Sequence, residues 1–425
     1  MANEGDKRWL SKDYGKTWTS IANPAASNGK TWCERRLLAR IHRYSRERRR
    51  QAARPVSPAA YMRFLLEWHG LGQSAKGGGG ELEQALSQLE GWAAPVVAWE
   101  HGLLASRCAD YSPQRLDEQF LSGCLAWFRP DGPGQGALQL VAATPVAMVP
   151  RERVVYWRPA RSVSSAPPGN VAGSVAGRVW AALQEDGALF TVDLAQRTGL
   201  LQPQLEQGLA ELVALGLVTS DAFSPLRWLI RPETEKRRQQ RFAGRRRSGP
   251  QGSMLGRWSA VRNSAPATVE QDSELFPDQA RLAVICEALL RRYGAVFRAV
   301  LERESMVPPW RLLLPYLRRM EDRGEVHGGR FVDGFSGEQF ALPEAVGLLR
   351  GGEARQPERR LVVISAADPL NLGGIITPGV KTAARAGRPD SGMKRARWIA
   401  CTPAVLARAV APHSSTYPRT HIIHG

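Results

Sequence analysis

Cysteine is scarce and scattered. The five residues, Cys33, Cys108, Cys124, Cys286 and Cys401, are odd in number and contain no CxxC pair. That argues against a zinc site or a disulfide framework and fits reduced thiols in the cytoplasm. Runs of about 18 uninterrupted apolar residues are also missing, so an ordinary transmembrane helix and a membrane role are not expected. The start, MANEGDKRWL, has no apolar stretch behind its charges, so a secretory signal is not expected. His42, His69, His101 and His327 show no spacing for a metal or a catalytic triad. Acidic residues are too few to balance the basic ones, at 40 against 58, and lysine supplies only 8 of those 58. The arginine-driven excess of +18 favours a polyanionic partner, nucleic acid first, over a small neutral substrate.

What is present suits folded domains. The 425 residues are 43% apolar, 23% charged and 8% aromatic, a composition with enough apolar surface for sizeable cores. The positive charge is regional: residues 34–54 carry +7, residues 231–264 carry +8 and residues 379–425 carry +7, together more than the whole chain. Arginine-favouring codons and solvated charged faces would explain any one run, but less readily all three. Concentration in three runs is how a footprint for phosphates looks.

Punctuation along the chain suggests modules. Residues 1–30 read as a polar leader. Leu37, Leu38, Ile41 and Tyr44 recur at helical spacing, with arginines on the other face. Ser57 caps an expected helix with Pro58 in its first turn and Tyr61, Phe64, Leu65 and Trp68 as its apolar stripe. Further helical patterns complete a winged-helix-like region over 31–130. LQLVAATPVAMVP and RVVYWRP read as strands in a segment spanning 131–175 that ends in a linker.

Residues 176–230 give helix, short extension, helix, turn, helix and strand, which is the winged-helix plan. A basic linker (231–275) follows. A second copy of the plan over 276–350 contains PPWRLLLPYLRRMEDRGEV and a Gly-rich wing between Arg330-Phe331 and Gln339-Phe340. LVVISAADPLNLGG opens a β-rich, barrel-like segment over 358–380, and 381–425 is a divergent basic tail without strand alternation. The fold class expected is α+β, mostly helical, with tandem winged-helix modules and a partial β-barrel-like unit.

Several strings resemble the C-terminal half of bacterial Lhr (large helicase-related) proteins. They are LLARIHRYSRERRR with PVSPAAYMRFLLEW, LDEQFLSGCLAW, GALFTVDLAQRTGLL with LVALGLVTSDAFSPLR, and RRYGAVFRAVLERE with GRFVDGFSGEQFALPEA and LVVISAADPLNLGGIITPG. The resemblance spans about residues 34–379. It implies an ATP-dependent 3′-to-5′ DNA helicase family linked to DNA repair, with ATP and magnesium as cofactors of the full-length proteins. It also implies similarity to winged-helix DNA glycosylases, with uracil excision attributed to some members. Nothing before residue 34 resembles the helicase core, and after Lys381 the resemblance stops, so a truncated or frameshifted product is expected.

A motor needs GxxxxGK[ST], whose backbone amides and lysine hold phosphates. Gly15-Lys16-Thr17 would need glycine where Leu10 stands, and Gly29-Lys30-Thr31 where Pro24 stands. No cofactor is therefore expected in this chain. For DNA, Arg311, Arg318 and Arg319 on the third helix of the last module and Arg330 at the wing are the expected contacts. Trp310 is a candidate to stack on an unpaired base, against a core role. Lys236, Arg237, Arg238, Arg241, Arg245, Arg246 and Arg247 read as an arm on phosphates. In the module before, Gln202, Gln204, Glu206 and Gln207 suit protein packing better than phosphates.

Glycosidic-bond cleavage needs a group beside a flipped base. The related Gln-apolar-Gln/Asp triplet fails at Ala341, and Asp368 in AADPLN is the remaining carboxylate, set against a purely structural turn role. The expected partner is single-stranded or forked DNA. A uracil glycosylase and a non-catalytic scaffold for self-association are the alternatives.

Overall fold

A computed structural model describes residues 18–22, 30–52, 54–71, 80–130, 139–158, 171, 173–243, 254–261, 277–353, 362–379, 398–401 and 408–409. A hairpin, β1 (Trp18–Ala22) and β2 (Lys30–Glu34), stands where the sequence reads as a polar leader. It leads into the arginine-rich α1 (Arg35–Ala52). Ser57 then accepts a hydrogen bond from the Ala60 amide at 3.2 Å and starts α2 (Pro58–Trp68), as a serine cap before a first-turn proline should.

The first module comprises α3 (Glu81–Gln88), β3 (Ala93–Pro95), α4 (Val96–Ala98), which runs on as a π-helix at Trp99–Leu104, α5 (Pro113–Leu121), β4 (Leu125–Phe128) and β5 (Pro145–Pro150). Within residues 153–159, read as a strand, Val154–Trp157 instead form a short helix, α6. The reason is tertiary: Trp157 is buried against Gly91, and its indole donates to Glu90 at 3.0 Å. Gly91 has φ +73°, and a Cβ there would come within 2.4 Å of the Trp157 ring.

The second module comprises α7 (Val175–Glu185), β6 (Leu189–Phe190), α8 (Thr191–Thr198), α9 (Gln202–Ala214), β7 (Val218–Ser220), α10 (Ser224–Leu229), α11 (Glu233–Ala243) and β8 (Arg257–Ala260). The third comprises α12 (Pro277–Tyr293), β9 (Ala295–Val296), a 3-10 turn at Arg298–Arg303 where a full helix is expected, α13 (Trp310–Arg323), β10 (His327–Gly329), β11 (Gln339–Ala341) and α14 (Pro343–Glu353). Gly324 ends α13 at φ +79°.

Strand order is the same in all three modules: β3-β5-β4, β6-β8-β7 and β10-β11-β9, each antiparallel with the returning wing strand in the middle. The described chain therefore holds three winged helices. This moves two expected boundaries. Strand β5 belongs to the first module, and β8, within the stretch read as a basic linker, completes the sheet of the second by pairing Leu189 with Trp258.

After α14, β12 (Val362–Ser365) pairs with β13 (Trp398–Cys401), which pairs with β14 (Arg408–Ala409). Strands thus occur in the stretch read as a tail without alternation, and the described residues contain no closed barrel.

Two cores result. One joins the first two modules, with Trp127 and Trp258 packed edge-on at 6.5 Å. The other joins the third module, α2 and the segment after β12. Helix α2 is thus neighbour to the first module in sequence and part of the last in space. Tyr61 donates to the Ala295 carbonyl at 2.7 Å, and Trp68 to that of Arg291 at 2.7 Å. Cys108 and Cys286 are buried free thiols, as their scatter suggests, while Cys124 is exposed. No helix among the described residues is long and apolar enough to cross a membrane.

Candidate nucleic-acid interface

The third helix of a winged helix is the element that enters a groove, and the three differ in charge. Helix α5 has Arg115 against Asp117 and Glu118, a net −1. Helix α9 has Glu206 and Glu211 and no basic residue, a net −2. Helix α13 has Arg311, Arg318, Arg319 and Arg323 against Glu321 and Asp322, a net +2. Only the last presents cationic character to a polyanion.

Its arginines are not equivalent. Arg318 is exposed but donates from Nε to Glu338 at 2.8 Å, so it ties the helix to the wing. Arg323 pairs with Glu325 at 3.0 Å. Arg319 is exposed and lies 5.3 Å from the centre of the Tyr316 ring. Arg311 and, just past β10, Arg330 are exposed and have no carboxylate within ion-pair distance among the described residues. Of the four expected DNA contacts, three guanidiniums stay available and Arg318 is committed to Glu338.

Trp310 does not stand out for base stacking. It is half-buried at the start of α13, with its ring 6.5 Å from that of Phe340. Lys236 needs a larger correction. It is buried on α11, pairs with Glu206 at 3.2 Å and Glu233 at 3.1 Å, and lies 5.9 Å from the Trp228 ring. It is a tether of α11 to α9 and not part of a phosphate arm. Arg237 and Arg238 are exposed on the same helix. Arg241 also lies on α11, and Arg245, Arg246 and Arg247 fall outside the described residues.

The C-terminal half of α13 is covered by α1. Arg46 pairs with Asp322. Arg50 donates from Nε to Glu321 at 2.7 Å and reaches Glu338 at 3.1 Å. Burial opposes charge on Glu338, but Arg318 and Arg50 outweigh it and hold the carboxyl below its usual range. Gly328 permits this clasp, because a Cβ there would come within 2.4 Å of a Glu321 carboxylate oxygen. None of these pins was legible in the sequence, where every arginine of the run looks alike.

Asp368 is not poised to activate water. It is fully buried, and Arg107 donates to both its oxygens, at 2.7 and 3.0 Å, while the Leu370 amide caps one at 2.9 Å. Burial would raise its pKa, yet Arg107 prevails and holds it below the usual carboxylate range. Arg107 also donates to His69 Nδ1 at 3.1 Å, and His69 Nε2 meets the Arg292 carbonyl at 2.7 Å. That fixes neutral His69 with its proton on Nε2. Burial first and Arg107 second push its pKa down to about 3.

Arg292, also fully buried, pairs with Glu304 and donates to the Gln88 carbonyl at 3.2 Å. Arg107 is the partner that sequence reasoning missed. Gln339 is likewise committed: its oxygen accepts from the Phe331 and Val332 amides, each at 2.8 Å. No group of three or more acidic, histidine or cysteine side chains among the described residues could hold a metal.

Residues 56–151 match the third winged-helix domain of large helicase-related proteins, and residues 277–361 match the fourth. Two segments of the chain are thus similar to winged-helix domains of Lhr proteins. Two curated relatives agree. "Lhr helicase/ probable uracil glycosylase" of Mycolicibacterium smegmatis (strain ATCC 700084 / mc(2)155) is 29% identical over 387 residues, covering 85% of this chain and 24% of that protein. "Lhr helicase/uracil glycosylase" of Escherichia coli (strain K12) is 27% identical over 388 residues, covering 82% of this chain and 24% of that protein. The chain thus spans about a quarter of the length of these Lhr relatives. The module between the two matched Lhr segments, residues 174–260, repeats their strand order.

Proposed function

We propose that this chain is the DNA-binding C-terminal part of an Lhr-type helicase, cytoplasmic and acting in DNA repair, whose contact with DNA is concentrated on α13 and its wing. The observation that carries the reading is the contrast among the three third helices, at −1, −2 and +2. Arg311, Arg319 and Arg330 supply cations without carboxylate partners among the described residues, at the helix and wing positions where a winged helix meets phosphates. The first two modules then serve as a scaffold that holds the third. ATP and magnesium would be handled by a motor with the phosphate loop that this sequence lacks, so the chain binds DNA without hydrolysing nucleotide itself.

Fluorescence anisotropy with single-stranded and forked DNA at two salt concentrations tests this. Affinity should fall steeply with salt, because each arginine on a phosphate releases counterions. Replacing Arg311 and Arg319 together with Gln should weaken binding and flatten the salt dependence. Binding that is absent or insensitive to salt would overturn the reading.

A second reading, uracil excision, is favoured by the names that both relatives carry. In this chain Gln339 and Asp368 are held in internal hydrogen bonds, so such an activity would draw on other groups. Abasic sites formed in uracil-containing oligonucleotides would establish it.

A further inference from the structure

Helix α1 lies on the protein the wrong way round for an amphipathic helix. Its arginine face is the docked one: Arg46 and Arg50, one turn apart, hold Asp322, Glu321 and Glu338. Tyr44 precedes Arg46 by two residues and so points about 200° around the helix from it. Ile41 and Leu37 stand one and two turns earlier on that outer side. These three apolar side chains are 68%, 48% and 40% exposed. Amphipathic helices normally bury such a stripe, so this one is left for an occupant.

The surroundings of the stripe indicate the chemistry of that occupant. Arg40 and Arg48, each about 40° around the helix from Tyr44, are exposed, as are Arg36 and Arg43 nearer the docked side, and the helix sequence contains eight arginines against the single Glu47. An occupant must therefore offer anionic groups together with flat apolar faces at close spacing. An unpaired nucleic-acid strand does so, with phosphates for the guanidiniums and bases for the tyrosine ring. A duplex keeps its base faces inside the stack. Continuity supports the same choice, since α1 is clamped to the helix and wing that carry Arg311, Arg319 and Arg330.

We propose that the outer face of α1 is a binding site for single-stranded DNA, with Tyr44 as the platform on which an unpaired base stacks. The site extends the α13 surface and rests on the reading that α13 grips DNA. It divides the labour: α13 and the wing meet phosphates of either form, and α1 selects the unpaired strand.

The test uses the whole chain with a labelled oligothymidine strand and a blunt duplex of equal length. Tyr44→Ala should weaken single-strand binding by about 5- to 160-fold, the range for loss of one base–aromatic stack, and leave duplex binding unchanged. Tyr44→Trp should restore it. Alanine is a strong helix former, so α1 should persist, as circular dichroism will show.

Native single-strand affinity that survives Tyr44→Ala would overturn the proposal while leaving the role of α13 intact. A parent chain that binds neither DNA would sink both. Loss of self-association in sedimentation, or of binding to phosphatidylserine vesicles, with single-strand affinity unchanged in Tyr44→Ala, would assign the stripe to a protein or a lipid surface instead.

Discussion

Arg107 and Asp368, 261 positions apart, meet in a two-pronged ion pair from which water is excluded. The arginine follows the π-helix of the first module, and the aspartate lies in the turn after β12, which packs with the last. Through His69, Arg107 is also linked to Arg292 of α12. The pair therefore ties the first module to the segment after β12 that packs with the third.

Removing one partner of a buried pair leaves the other charged and unsolvated, at a cost of about 3–5 kcal/mol. Asp368→Asn should lower the urea midpoint by a corresponding amount. The double variant Arg107→Met with Asp368→Leu should recover much of that loss, because both desolvated charges go at once. An Asp368→Asn protein as stable as the parent would show that the ion pair contributes nothing.

His69 makes stability depend on pH. In the unfolded chain it protonates near its ordinary value of about 6.5, whereas in the fold its pKa is about 3. Between these values the unfolded state binds the extra proton, so stability is full above the upper value. It falls by about 1.4 kcal/mol per unit as pH drops below it. Urea titrations from pH 7.5 to about 4.5 should show this slope. His69→Gln, which can accept from Arg107 and donate to Arg292, should flatten it.

The clasp between α1 and α13 depends on a missing side chain. Gly328→Ala would push the Glu321 carboxylate away from Arg50, a tight overpacking worth about 1–3 kcal/mol. Limited trypsin digestion should then cut within α1 faster than in the parent chain. Arg50→Gln should have the same effect by removing the other side of the contact. Unchanged digestion in both variants would refute the clasp.

Lys236 separates structural from binding arginine-rich segments. Lys236→Gln leaves Glu206 buried beside an uncharged neighbour and should lower the thermal midpoint. DNA affinity of the folded protein should stay the same. Arg311→Gln should do the reverse, reducing affinity and the salt slope by about one counterion. A stable Lys236→Gln variant with weakened DNA binding would restore the phosphate-arm reading of this residue.

Local chemistry determined much of this protein. Ser57 caps one helix, Gly324 stops another, and the order of helices and short extensions over 176–230 and 276–350 gives winged helices. Such signals act over one or two turns, so the sequence displays them. Only the tertiary structure decided the rest. It placed α2 in the core of the last module, and β8 at the centre of a sheet beyond two intervening helices. It set Arg107 against Asp368, and turned the arginine face of α1 inward with Tyr44 outward. Helical periodicity reports that a helix has two faces, but the face that docks is chosen by its partner. For α1 that partner is three carboxylates on α13 and the wing, more than 270 positions away along the chain.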